Sequence, residues 1–341
     1  MVERTTPAGA PERRSTIRDV AERAGVSKSL VSLVLQGSGN VSAGRRQSVL
    51  QAMEELGYRP NRIARSLSAP RTSTVGVLLN DLRNPWFVEL LEGLTATVHA
   101  AGVSPVLAAS STNLRIGRRS VDALLEQRID GLVVVGTTTE AAGVKAAAAG
   151  LPVVLAGTRE PHLPRVDIVV NDDEAGARQT TEHLLRLGHR RIAHLQGPGE
   201  IAELRRAGYE HAMRTADLEP CVVVGGMSEE SGYAAAHRLI TAADRPTAIF
   251  AFNDIAAIGV LSAAADQGLA VPGDLSVVGY DNTYLARVRH LSLTSVDTGN
   301  LAVGVQSGTY FLERLAQPEL PARLHLVPTE LQVRGSTAHP R

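Results

Sequence analysis

The chain has 341 residues, 44% of them hydrophobic, with 35 basic and 35 acidic side chains and a single cysteine. That apolar share suits more than one buried core, and one cysteine excludes an internal disulfide and the disulfide-stapled secreted scaffolds. The zero formal charge hides a division: up to Arg71 there are twelve basic residues against six acidic ones, so the remainder holds 23 basic and 29 acidic.

Residues 1–14 are polar and Pro-rich and read as a disordered lead-in, with no apolar run long enough for a signal peptide or a membrane span. The chain is therefore expected in the cytoplasm. From Thr16 the helical period appears at Ile17, Val20, Ala21 and Ala24, is interrupted at Gly25 and Val26, and resumes at Val31 and Val34. Two short helices crossing at a glycine turn make a helix-turn-helix. Thr16 with Asp19 can form a capping box and Ser27 can cap the second helix. That second helix leaves Ser27, Lys28, Ser29, Ser32, Leu33 and Gln36 outside, side chains able to reach base edges and phosphates. Ser42 is placed to cap a third helix with Val49, Ala52, Met53 and Leu56 on its apolar side, ended by Gly57. Concentrated positive charge here fits a nucleic-acid-binding head.

The phrases IRDVAERAGVS, VSLVLQG, VSAGRRQSVLQAMEELGYRPN and NRIARSL follow in that order and spacing. In them the chain resembles the lactose-repressor family of transcription regulators. The resemblance implies that residues 15–60 bind duplex DNA and that 61–72 form a hinge helix and linker, with Leu67 as a minor-groove wedge beside Asn61 and Ala64. Unstacking a base step with such a wedge costs a few kcal/mol, offset by contact with the bent duplex. One departure is Leu33, where relatives usually carry arginine, so their operator sequence cannot be borrowed.

After the linker SAPRTST, apolar runs alternate with helix-length stretches: TVGVLL, then Trp86 to Ala101; PVLAAS, then Leu114 to Gln127; GLVVVG, then Glu140 to Ala149; and LPVVLAG. At IVVNDDEAG the rhythm restarts with helices expected over Glu174–Leu187, Ala202–Thr215, Ser231–Ala242 and Ile255–Gln267, separated by RIAHLQ, CVVVGG, AIFAF and LSVVGY. This predicts two doubly wound α/β lobes with parallel sheets, 73–172 and 173–297, with an extra crossover helix over Leu301–Leu315; the resemblance implies that 298–329 returns to complete the first lobe. Cys221 falls in an apolar run and reads as a buried small hydrophobe. The tail 335–341 reads as frayed.

The resemblance extends through NPWFVELLEGL, EHLLRLGHRRIAHLQGP, RRAGYEHAM, FNDIAAIGVL, VPGDLSVVGYDNT and LTSVD. It implies paired lobes of the periplasmic-binding-protein type with an effector in the cleft, where such folds bind ligands. Carried over position by position, the cleft residues are Asn80, Trp86, Phe87 and Ser111 from the first lobe and Asn253 and Asp281 from the second. An aromatic face suits a sugar or base ring, and a carboxylate accepts from adjacent hydroxyls. The competing reading makes Trp86 and Phe87 plain core, and Asn253 and Asp281 caps. The family's effector arginine aligns with Glu203, leaving Arg205 and Arg206 to point elsewhere, and Met227 replaces a common aromatic. On that alignment an anionic effector is disfavoured, which leaves a neutral sugar or polyol, the expected class, or a ligand bearing a positive charge. An alignment slip around GPGEIAE is the alternative.

HExxH, CxxC, phosphate-loop and dinucleotide-loop patterns are all missing from the sequence, and the ten histidines are scattered, so neither an enzyme nor a metal or cofactor is expected. The expected partners are double-stranded operator DNA, a small-molecule effector and a second copy of the chain in a homodimer or higher oligomer, without a membrane. The rival expectation is a cytoplasmic sensor or sugar-binding protein with a weakened DNA-binding head.

Overall fold

Val20, Val31 and Val49 are fully buried, one from each of three short helices, and the head forms around them. The computed structural model describes residues 15–35, 39–58, 71–115 and 117–341. It falls into two units, Met1–Pro70 and Arg71–Arg341. The lead-in, Gln36 and the expected hinge residues Asn61, Ala64 and Leu67 lie outside the described residues.

In the first unit the helices are α1 (Ile17–Arg23), α2 (Lys28–Leu35) and α3 (Ala43–Glu55). The Asp19 amide donates to Thr16 Oγ1 and the Thr16 amide donates back to the Asp19 carboxylate, closing the capping box. Gly25, at φ +65°, lets the Val26 amide turn back to the Ala21 carbonyl at 2.9 Å. Ser27 Oγ then accepts the Leu30 amide at 3.2 Å, capping α2. Ser42 stands at the N-cap of α3 but its hydroxyl makes no cap bond, contrary to expectation. The Ser15 hydroxyl and the Arg23–Glu55 ion pair tie α1 to the far end of α3.

The second unit contains two six-stranded sheets. Its first sheet has the order β11-β5-β4-β3-β1-β2, all parallel, from β1 (Thr74–Leu79), β2 (Ser104–Ala109), β3 (Gly131–Val135), β4 (Val153–Ala156), β5 (Asp167–Asn171) and β11 (Leu324–Val327). The other sheet has the order β12-β10-β9-β8-β6-β7, from β6 (Ile192–Gln196), β7 (Cys221–Val224), β8 (Ala248–Phe250), β9 (Ser276–Tyr280), β10 (Thr294–Asp297) and β12 (Glu330–Gln332), with only β12 antiparallel. Central strands such as Gly131–Val135 and Val153–Ala156 are buried throughout, which is why they appear in the sequence as unbroken apolar runs.

Helices cover both faces: α4 (Trp86–Ala100), α5 (Ser110–Arg115), α6 (Ser120–Glu126), α7 (Ala141–Ala148) and α12 (Asn300–Ala316) on the first sheet, and α8 (Asp173–Arg186), α9 (Glu200–Thr215), α10 (Glu229–Ile240) and α11 (Asp254–Asp266) on the second. α12 returns to the first lobe and packs on α4 so closely that a Cβ on Gly304 would lie 2.0 Å from the Leu90 carbonyl oxygen. Its C-terminal end is fixed by buried Arg314, which with Arg323 forks the Asp167 carboxylate at 2.7–3.0 Å. Burial raises that carboxyl, but the two guanidiniums more than reverse this and hold it below the usual range.

Three further expectations need correction. The single helix expected over Leu114–Gln127 is two, α5 and α6, because the buried Glu140 carboxylate accepts the Ser120 and Val121 amides and starts a new helix there. Cys221 is exposed, on the edge strand β7. The tail 335–341 is docked on the second lobe. Ser336 exchanges bonds with Val277, His189 Nε2 reaches the Ala338 carbonyl at 2.9 Å, and His339 Nδ1 reaches the Leu187 carbonyl.

Candidate functional sites: a recognition face and an interlobe cleft

On α2, Val31 and Val34 turn into the head core, which sets the opposite face outward. Lys28, Ser29 and Leu33 are exposed and Ser32 is half-buried. Ser27 ends this face, its hydroxyl taken by the cap. No acidic side chain lies in α2. The surface offers one cation, short hydroxyls and one apolar side chain, a composition fit for phosphates and base edges.

In the second unit, loops at the carboxyl ends of the strands enclose a cavity of about 360 Å³ between the two sheets. Asn80, Trp86 and Phe87 line it from the first lobe, and Met227, Asn253 and Asp281 from the second. Trp86 and Phe87 are both buried and meet edge to face at 5.1 Å, so they belong to the core and to the cavity wall at once. Gly157, at φ +64°, makes room for the indole: a Cβ there would stand 2.4 Å from the Trp86 ring. Asn253 caps α11, its Oδ1 accepting the Ala256 amide at 2.8 Å, while its Nδ2 donates to the Met227 carbonyl at 3.2 Å. Capping and lining are compatible roles for this residue.

Arg205 dominates the far wall. Its Nε donates to Asp173 at 2.8 Å, its Nη1 to the Phe252 carbonyl at 2.6 Å, and its Nη2 lies 3.5 Å from Asp281. The guanidinium also rests 3.7 Å from the Tyr280 ring centroid and 4.6 Å from that of Phe252. One buried cation thus faces two buried carboxylates. Burial pushes Asp281 well above the usual carboxylate range, with Arg205 opposing, and raises Asp173 in the same way. Asp281 holds a positive φ of 96°, followed by Asn282 at 46°, a strained backbone for residues other than glycine. The strain is held in place: Asn300 donates to the Asp281 carbonyl at 3.0 Å, Asn282 bonds Asp297, and Asp254 accepts from the Thr283 amide and hydroxyl.

Glu203 and Ser111 do not line the cavity. Glu203 is largely exposed and bonds Gln196 and Arg206, while Ser111 adjoins Asn80 through its backbone only. The expectation that Arg205 points elsewhere is overturned, and with it the charge argument that rested on Glu203. Helical spacing carried the signal: Ala202, Arg205, Tyr209 and Ala212 fall on one buried face of α9, and Glu203 falls off it. Residue-by-residue alignment missed this, as it missed Asp173 and Phe252.

A basic three-helix head in one chain with a two-lobed small-molecule cleft defines a regulator that couples DNA binding to a ligand. Residues 16–61 match the family model for bacterial regulatory proteins of the lacI family, and residues 181–337 match that for a periplasmic binding protein-like domain. The chain is 33% identical to the HTH-type transcriptional repressor PurR of Photobacterium profundum, over 94% of this chain and 98% of that one. It is 32% identical to the catabolite control protein A of Priestia megaterium, over 94% and 99%. Among solved structures, the lac repressor dimer bound to operator and an anti-inducer superposes with a TM-score of 0.82 at 29% identity, covering 96% of this chain and all of that one. A transcriptional regulator CelR–cellobiose complex superposes with a TM-score of 0.70 at 30% identity, covering 95% and 100%. The chain belongs to the lacI family, and it is a ligand-responsive, DNA-binding transcriptional repressor.

Proposed function

We propose that the effector is a neutral polyhydroxylated molecule, a sugar or polyol, seated between Trp86, Phe87 and Asn80 on one lobe and Arg205, Asn253 and Asp281 on the other. The observation that carries this reading is the Arg205–Asp281 pair at the cavity wall beside two aromatic rings. A hydroxyl can donate to the carboxylate and accept from the guanidinium together, and the aromatic wall takes the apolar side of a ring. Anions remain disfavoured, now for a different reason than Glu203. Arg205 is already matched by Asp173 and Asp281, and the lining adds Glu229 and Glu230 against an Arg83 that is bound to Asp81.

In this reading the protein works in the cytoplasm as a homodimer or higher oligomer; among the described residues no helix is long and apolar enough to cross a membrane. Two heads are required because one reads a half-site only. Lys28, Ser29, Ser32 and Leu33 face the major groove, with Ser27 at its edge, while Asn61, Ala64 and Leu67 approach the minor groove. Effector occupancy changes the lobe angle and so the DNA-competent population.

A thermal-shift screen of sugars, polyols and sugar phosphates on the full-length chain, followed by operator gel shifts with each hit, tests this. A neutral polyol should raise the unfolding midpoint and alter operator affinity. Asp281→Asn, which tolerates the same positive φ, should weaken that ligand about 10-fold by removing a carboxyl oxygen as hydrogen-bond acceptor. Tighter binding of the phosphorylated analogue would refute the effector class while leaving the repressor intact.

A further inference from the structure

The described part of the head exposes two large apolar side chains, Leu33 on α2 and Leu50 on α3. Leu33 is 40% exposed and takes no part in the head core, unlike its neighbours Leu30 and Leu35, which pack against it. It stands one turn beyond Ser29, at the edge of the exposed arc of α2 opposite Lys28. Among the described residues of the head, the core does not require a leucine there.

This inference rests on reading α2 as the helix that enters the major groove. Leucine can neither donate nor accept a hydrogen bond. Against a guanine, cytosine or adenine edge it would strip water from polar groups and return nothing. The groove floor offers one apolar feature, the C5 methyl of thymine. We propose that Leu33 is a specificity-determining residue that reads a thymine methyl, so that each operator half-site carries a T·A pair at its position. Four residues of helix rise about 6 Å, so that thymine lies one or two base-pair steps of about 3.4 Å from the base facing Ser29.

The test uses the full-length protein and a duplex selected by it from a random pool. Each thymine of the half-site is replaced in turn by deoxyuracil, which lacks only the methyl. At one position the replacement should weaken wild-type binding about fourfold per half-site, the worth of one buried methyl. Leu33→Ala, an exposed change to the best helix former, should bind the two duplexes equally. The inference fails if no thymine shows a methyl effect that Leu33→Ala abolishes, or if selection places a G·C pair at the position whose preference Leu33→Ala relaxes. A pool that yields no sequence preference at all would overturn the recognition-helix reading, and this inference with it.

Discussion

His194 is a titratable ring with no exposure, held between Tyr209 and Phe250 with ring centroids 5.3 and 4.6 Å away. Its Nδ1 donates to the Phe250 carbonyl at 3.2 Å, and a second proton on Nε2 would find no acceptor. Burial therefore drives its pKa from 6.5 down to about 3, the Phe250 carbonyl opposing. Because the folded value is depressed, the native state binds fewer protons than the unfolded chain. The stability held by the neutral ring is complete above pH 6.5 and declines as pH falls toward 3. Between pH 7 and pH 5 the loss is on the order of 2 kcal/mol, since each pKa unit is about 1.4 kcal/mol. The difference between wild type and His194→Phe in urea unfolding at the two pH values measures it. His183 and His189, which burial also lowers, add a slope of the same sign, and the buried carboxyls Asp173, Asp254 and Asp281, which burial raises, add one of the opposite sign. At this same scale helical spacing turns Arg205 inward but does not show what holds it there. Its neighbours on the buried face of α9 are small or apolar, and an arginine among them is stable only because Asp173 and Asp281, 32 and 76 positions away, are folded against it.

Helix contacts in the core unit are set by glycines that let backbones touch. α4 meets α12 at Gly93 and Gly304, α8 meets α9 at Gly208, and α10 meets α11 at Gly232 and Gly259, each with a carbonyl 2.0–2.3 Å from where a Cβ would stand. Gly304→Ala gains about 1 kcal/mol of helix propensity. It also drives a methyl into the Leu90 carbonyl, which is helix backbone and cannot swing aside. Overpacking costs about 1–3 kcal/mol where side chains can adjust, and more here, so the clash wins. A calorimetric scan should show the core transition lowered by several degrees, with the head's charge and recognition face unaltered. Elements were legible in the sequence where their cause is local. The glycine turn at Gly25, the Thr16 capping box and the unbroken apolar strands all carry their signal within a few residues. The break between α5 and α6 was not legible, because the carboxylate that makes it comes from Glu140, twenty positions on. The docked tail was hidden for the same reason: its acceptors and histidines lie some 60 to 150 positions upstream.

Across the whole molecule the two lobes are joined by three strand connections, after Asn171, after Asp297 and after Val327. Asn171 donates to the Thr298 carbonyl, and Thr329 donates to the Asp172 carbonyl at 3.2 Å, so the connections are bonded to one another. Asn300, at the second of them, also holds the Asp281 carbonyl at the cavity wall. A ligand bonded to Asp281, as proposed above, would thus touch a residue that is itself bonded to the second connection. Whatever factor the effector applies to operator affinity, operator must apply to effector affinity. Titrating effector into the protein with and without saturating operator should give dissociation constants in the same ratio as operator constants measured with and without effector. Unequal ratios would break the coupling scheme.

The same triple connection governs how the chain can be made. The first lobe lacks α12, which buries the Gly93 side of α4, and lacks its edge strand β11 until residues near 330 have been synthesised. The second lobe, though it starts a hundred residues later, has all its helices and five of its six strands by Asp297. A ribosome thus releases the later lobe nearly complete while the earlier one still waits with an open apolar flank. A premature stop at residue 298 would strand the beginning of the protein rather than its end.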